Sequence, residues 1–201
     1  MRRNAPALVT APTEEPVTLE EAKAHLRVDE SDEDGLIAAL ISAAVSHIDG
    51  WSGILGRCMV TQTWGESFDG FPSGYHGNKL RLRLDPNLSI TWIKYSDSAN
   101  VEQTLSQTVY EGPFVDDIGP YVALRENQVW PSTYERYDAV TVRYTVGYRA
   151  AAQVPHAIRQ AILLLVGHWY YSREAVVLSK APAELPFAVS ALLAPYRRLG
   201  I

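Results

Sequence analysis

The side chains best suited to chemistry in this sequence are five histidines and one cysteine. No two histidines have the spacing of a zinc-binding helix, and none lies beside the cysteine. Cys58 precedes a β-branched segment, which favours a small buried side chain over a nucleophile. His168 follows an apolar run and precedes Trp169, a setting typical of a structural histidine. The five are His25, His47, His76, His156 and His168.

Sequence motifs for acyl transfer and phosphate binding are missing as well. No serine lies in the G-x-S-x-G pattern of a nucleophile elbow. The glycine-containing segment 70–74 lacks a phosphate-binding lysine, and no helical pattern follows it. The sequence therefore predicts a protein that is not an enzyme and carries no cofactor.

Carboxylates crowd the segment 29–34 and offer oxygen ligands of the kind that bind Ca²⁺ or Mg²⁺. The segment lacks the central glycine and the terminal glutamate of a calcium loop. Ser31 or Asp32 can instead cap the next helix, whose positive end the carboxylates favour. Asp116 and Asp117 favour a turn. We expect no metal site, and the acidic segment comprises Asp29, Glu30, Asp32, Glu33 and Asp34.

A basic strand face is the closest approach to a nucleic-acid site. Lys79, Arg81 and Arg83 alternate with leucines, while Trp92 and Tyr95 fall in a predicted neighbouring strand. Aromatic and basic side chains on a sheet can bind single strands. The pI of about 5.5 is far below that of a dedicated binder, and the alternation equally describes the solvent face of an ordinary strand. Nucleic-acid binding is therefore an alternative and not the favoured function.

Composition indicates a globular protein. The chain of 201 residues has room for one medium domain or two small ones. Hydrophobic residues make up 47% and charged residues 20%, which supports a buried core. The longest apolar run, residues 161–167, is shorter than the roughly 18 residues of a membrane span. With one cysteine and no hydrophobic signal segment, we expect synthesis in a bacterial cytoplasm.

Charge is distributed unevenly along the chain. Residues 1–57 carry a net charge of −5, residues 58–150 of −3, and residues 151–201 of +3. Such asymmetry suits head-to-tail contacts between copies, or different partners at the two ends. Chance scatter among short segments explains it equally well.

Helical patterns at both ends of the chain enclose a β-pattern. A proline-rich extended arm at 1–16 precedes the helices of residues 17–57, where Thr18 and Glu21 form a capping box. Residues 58–150 hold five or six strands punctuated by glycine and proline. A strongly apolar helix lies in 151–178, and 179–201 hold a short helix and a basic tail. We expect an α+β fold, with a mainly helical core and an inserted antiparallel β-subdomain.

Several of these segments, taken in order, resemble the phage head–tail connector (adaptor) family, which also occurs in gene transfer agents. The opening of the family is similar to VTLEEAKAHLRVD at 17–29 and DGLIAALI at 34–41. Its β-insert resembles TQTW at 61–64, FDGFP at 68–72, WPS at 130–132 and VTVRYTVGY at 140–148. Its third helix is similar to VPHAIRQAILLLVGHWY at 154–170 and REAV at 173–176.

The resemblance implies a structural subunit of a ring, commonly of twelve copies, in the neck of the virion. The ring would lie between the portal protein and a stopper or tail-terminator protein, and DNA would pass through its lumen without specific binding. We expect the acidic residues Asp29, Glu30, Asp32, Glu33 and Asp34 to face the lumen. We expect Arg197, Arg198, Leu199 and Ile201 to contact the portal, although disordered ends are the alternative. A stopper-like neck protein is the other structural alternative.

Overall fold

The computed structural model describes residues 1–73, 77–172 and 187–198, and it confirms the α+β class. The chain divides into two compact units, a β-unit formed by Met1–Pro12 with Thr61–Gly147, and a helical unit formed by the described parts of Thr13–Val60 and Tyr148–Gly200. The helices are α1 (Leu19–Leu26), α2 (Asp34–Ile48), α3 (His156–Tyr171) and α4 (Phe187–Leu193). The strands are β1 (Ala7–Thr10), β2 (Gln62–Phe68), β3 (Lys79–Arg81), β4 (Ser89–Ser96), β5 (Glu102–Thr104), β6 (Tyr110–Val115), β7 (Pro120–Leu124) and β8 (Val140–Val146).

In the helical unit, α3 packs against α1, α2 and α4. Its apolar stripe recurs at helical spacing, so one face is buried along most of its length. The capping box predicted at the start of α1 is present, because the Glu21 backbone N–H donates to Thr18 Oγ1 at 3.1 Å and the Thr18 backbone N–H donates to the Glu21 carboxylate at 2.9 Å. The largest buried side chains of this unit are Ile37, Ile48, Leu55, Met59, Ile158 and Ile162.

The end of α2 is fixed by glycine. Gly50 has a φ of 75°, a conformation that side chains with a Cβ rarely adopt. At Gly53 a Cβ would lie 2.2 Å from the Asp49 carbonyl oxygen, so no larger residue fits against the last turn. The Asp49 carboxylate then accepts from the Met59 backbone N–H at 2.6 Å, which ties the returning chain to the helix end.

The β-unit contains two antiparallel sheets. The larger has the strand order β1-β2-β8-β4-β5 and the smaller has β3-β7-β6. Alternate residues of β2 and β8 are buried, as expected for strands with one face against a core. Leu80, Leu82 and Leu84 are all buried, which agrees with the alternation in the sequence, although the regular strand ends at Arg81.

Three local features differ from the sequence expectation. Within the predicted arm, Ala7–Thr10 pairs with β2, because the sheet edge offers backbone hydrogen bonds to a β-branched segment. Strands β6 and β7 were not predicted, since glycine and proline interrupt their pattern. Helix α2 begins at Asp34 with Glu33 as N-cap residue and no side-chain cap, so neither Ser31 nor Asp32 caps it.

Candidate functional site

The acidic segment before α2 divides into two groups with different surroundings. Asp34 accepts a hydrogen bond from Lys23 Nζ at 2.6 Å, and Glu33 accepts one from the Tyr170 hydroxyl. These two carboxylates therefore hold α2 to α1 and α3. The lumen-facing role of the segment stays a prediction, and its three exposed carboxylates are those of Asp29, Glu30 and Asp32.

The basic residues after α4 lie against the loop that follows α2. The Arg198 backbone N–H donates to the Leu55 carbonyl at 2.9 Å, which anchors the chain just beyond the short helical turn Ala194–Tyr196. The Arg197 side chain is exposed. Leu199 and Ile201 lie outside the described residues. The portal contact of this segment stays a prediction.

Two cations of the basic strand face predicted around β3, Lys79 and Arg81, share one carboxylate. Arg81 donates both terminal nitrogens to Asp116, each at 2.8 Å, and Lys79 Nζ lies 3.1 Å from the same group. The hydrogen bond from Arg81 holds the pKa of Asp116 well below its usual range, with Lys79 adding to the effect. Lys79 also lies 4.2 Å from the centre of the Tyr121 ring. Lys79 and Arg81 therefore have their interaction partners within the β-unit.

Sequence reasoning placed Asp116 in a turn and missed its pairing with β3. The turn is present, since the backbone N–H groups of Ile118 and Gly119 both donate to the Asp116 carboxylate. The pairing arises because β3 and β6 both flank β7, and nothing in the local sequence indicates that strand order. Arg83 likewise donates to the Asn4 carbonyl at 2.6 Å.

Trp92 joins a different set of cations from the one expected. It lies opposite Arg143 on the adjacent strand, whose guanidinium carbon is 5.0 Å from the Trp92 ring centre. Lys94 Nζ lies 5.1 Å from the same ring and 2.6 Å from the Glu102 carboxylate. The tryptophan thus forms a cation–π cluster on β4 and β8, away from the β3 pairing with Asp116.

A buried glutamate is the functional-type residue that sequence reasoning did not single out. Glu66 on β2 is 1% exposed, and its Oε1 accepts hydrogen bonds from the Tyr144 hydroxyl at 2.5 Å and the Arg83 backbone N–H at 2.8 Å. Its Oε2 is buried without a hydrogen bond. Burial raises the pKa of Glu66, against the lowering effect of these hydrogen bonds. The alternation of β2 could have indicated this burial, because Trp64 and Phe68, two residues away on either side, lie on the same face as Glu66.

Other chemically able residues occupy structural positions. Cys58 is buried, as predicted. His47 makes an edge contact with Trp169, with ring centres 6.1 Å apart. Within residues 1–73, 77–172 and 187–198, no three His, Cys, Asp or Glu side chains are grouped so as to hold a metal ion. None of the helices in these ranges combines the length and apolar character of a membrane span.

The sequence matches one protein-family model. The family is described as head completion protein, and the match covers residues 15–199. The match extends over both units, from the segment before α1 to residue 199. No curated protein matches the sequence.

Solved structures of the same fold come from gene transfer agent particles. A chain in the virion of the native particle is 20% identical, with a TM-score of 0.71, and the match covers 98% of this chain and 96% of that one. A chain in the neck of the empty particle, computed with C6 symmetry, is 20% identical, with a TM-score of 0.71 and coverages of 100% and 97%. A chain in the neck of the native particle, computed with C12 symmetry, is 18% identical, with a TM-score of 0.65 and the same coverages.

Proposed function

Because this chain belongs to the head completion protein family, we propose that it is a structural head–tail adaptor, one subunit of a ring in the neck of a tailed phage or gene transfer agent. The family match over residues 15–199 carries the proposal. The shared fold with neck chains, over nearly the full length of both, supports it. The resemblance noted in the sequence pointed to the same family and is confirmed.

The ring is proposed to contain about twelve copies, by analogy with the C12 symmetry of the native neck in which a similar chain lies. A ring built head to tail requires two different complementary surfaces on each subunit. The net charge of −5 for residues 1–57 and +3 for residues 151–201 supports such an arrangement.

DNA passes through this ring without specific binding. A lumen that releases DNA must avoid the phosphate contacts that give basic proteins their affinity. The chain carries a net charge of −5, and the cations of β3 are paired with Asp116. We place the exposed carboxylates of Asp29, Glu30 and Asp32 at the lumen, where they would repel phosphates.

The ring has different partners on its two sides. We place the portal protein at the C-terminal segment, through the basic and apolar residues 197–201, and a stopper or tail-terminator protein on the opposite side. The exposed side chain of Arg197 is consistent with a charged contact there. The role throughout is geometric, and the proposal includes no catalytic step.

Electron microscopy of the parent particle tests the proposal directly. We expect the chain to be traceable in density between portal and tail, as a closed ring around the DNA channel. Mass spectrometry of purified particles should detect the chain at a copy number equal to that ring. A complete, infectious or gene-transferring particle that lacks this chain from its neck would refute the function.

A further inference from the structure

The larger sheet has one face whose central side chains are all half-exposed. On β2 and β8 the residues of this face are small or hydroxylic, apart from Arg143. The register places Gly65, Arg143 and Trp92 opposite one another across β2, β8 and β4. We name this face the Arg143 platform, formed by Thr63, Gly65, Ser67, Trp92, Lys94, Thr141, Arg143 and Thr145.

Arg143 is a cation without a carboxylate in the described part of the chain. The carbon of its guanidinium lies 5.0 Å from the Trp92 ring centre, and its Nε is shielded from solvent without a hydrogen bond. The neighbouring Lys94 differs, because Glu102 neutralises it at 2.6 Å. A cation–π contact restricts an arginine side chain in advance, so less side-chain freedom is lost when it binds an anion.

We propose that the Arg143 platform is an interface between copies of this chain, and that it receives the exposed acidic residues Asp29, Glu30 and Asp32 of the neighbouring subunit. The inference rests on the proposed ring and names the contact that closes it. The two surfaces lie in different compact units and carry opposite charge, as a head-to-tail contact requires.

The chemistry of the two surfaces is complementary. A guanidinium binds a carboxylate through two parallel hydrogen bonds, which fixes orientation as well as charge. The side chains that flank Arg143 on its own face of β8, Thr141 and Thr145, are short, so a loop backbone can approach the sheet beside it. One carboxylate pairs with Arg143, so this inference keeps at the lumen only two of the three that the proposed function placed there.

Charge exchange between the two surfaces tests the interface in the assembled particle. We expect Arg143→Glu to lower incorporation of the chain into necks at least about tenfold, and replacement of Asp29, Glu30 and Asp32 by lysine to do the same. Combining both changes in one chain should restore incorporation to within about threefold of wild type, because each contact then has its charges reversed. Incorporation is measured by quantitative mass spectrometry of purified particles.

Arg2→Glu is the matched control, since it makes the same charge change at an exposed arginine of the same unit and should leave incorporation unchanged. Circular dichroism and thermal melting of each purified variant report folding. If Arg143→Glu fails to fold, Arg143→Gln replaces it. We then expect incorporation to fall several-fold, and the lysine substitutions at Asp29, Glu30 and Asp32 should not restore it.

The outcomes separate this inference from the proposed function. Wild-type chain absent from the neck would refute the function itself. Wild-type chain in a ring, together with normal incorporation of folded Arg143→Glu, would refute only the platform contact. The platform contact would also be refuted if Arg143→Glu lowered incorporation and the lysine substitutions at Asp29, Glu30 and Asp32 failed to restore it. Another group would then be the partner of Arg143.

Discussion

Two arginines of the β-unit show how neighbours decide the role of a residue. Arg81 donates to both oxygens of Asp116 at 2.8 Å, so its charge is paired within its own subunit. Arg143 has an aromatic ring beneath it and no carboxylate among the described residues. Both alternate with apolar residues in their strands, so the sequence pattern treats them alike. Neighbouring residues across the sheet thus give Arg81 a structural role and leave Arg143 able to bind another group.

The ionisation of the buried Glu66 links pH to stability. Burial raises its pKa, while the Tyr144 hydroxyl, the Arg83 backbone N–H and the nearby charges of Arg83 and Arg3 act in the opposite direction. The unfolded carboxyl has the ordinary pKa of about 4.3. Between that value and the raised one, the folded chain binds one more proton than the unfolded chain. The contribution of Glu66 is therefore complete below the unfolded pKa and is lost as pH rises through the folded one.

Glu66→Gln should remove this pH dependence. Glutamine keeps the shape of the protonated acid but cannot ionise. We expect the free energy of unfolding of the wild type to fall, relative to the variant, by up to about 1.4 kcal/mol per pH unit above the unfolded pKa. Urea denaturation from pH 4 to 8 measures the difference. Glu111→Gln, at an exposed glutamate of the same unit, should retain the wild-type slope, and equal slopes for Glu66→Gln and the wild type would contradict the assignment.

At the scale of elements, α3 organises the helical unit. It contacts each of the other three helices, and its contacts with α2 and α4 are the most extensive between helices of this unit. Gly167 faces α1, where a Cβ would be in ordinary contact with His25 Nε2 at 3.5 Å. Arg159 on the same helix pairs with Glu21 of α1. The helix that the sequence marked most strongly is thus the one on which the others depend.

Truncation of a buried α3 side chain should therefore destabilise the helical unit. Ile162 is 0% exposed, and Ile162→Ala removes buried methyl groups and leaves a cavity. We expect a loss of about 2–5 kcal/mol, measured by chemical denaturation followed by helical circular dichroism. Leu36→Ala is the control, since Leu36 on α2 is 39% exposed and should cost well under half as much. Equal costs at the two positions would show that α3 does not form the centre of the core.

At the scale of the whole molecule, the chain carries a net negative charge. The net charge is −5, and two cations of the basic strand that offered the alternative of nucleic-acid binding, Lys79 and Arg81, are paired with Asp116. Nucleic-acid affinity scales with the number of phosphates a surface neutralises. A particle neck built from such subunits would let DNA slide through rather than hold it.

The purified chain should accordingly show no tight binding to duplex DNA. We expect a Kd no stronger than about 10⁻⁴ M at physiological salt, measured by fluorescence anisotropy with a labelled duplex. Repeating the titration at low salt separates weak electrostatic attraction from a specific site. Micromolar affinity that weakens steeply with added salt would instead favour the nucleic-acid-binding alternative.

Local chemistry made much of the fold predictable. The capping box at Thr18, the apolar stripe of α3 and the alternating leucines of β3 each depend on residues within a few positions of one another. Strands β6 and β7 escaped prediction because their pairing, rather than their own pattern, stabilises them. The same holds for β1, which forms because a sheet edge is available to it.

The sequence by itself determined the α+β class, the helices and the acidic character of the segment before α2, because periodicity, capping and composition are properties of neighbouring residues. The tertiary structure alone decided which cations are neutralised and which stay open. Asp116 follows β6 and meets the cations of β3 because β6 and β3 both pair with β7. Arg143 meets Trp92 because β8 pairs with β4. Strand order joins residues far apart in the chain, and no local pattern encodes it.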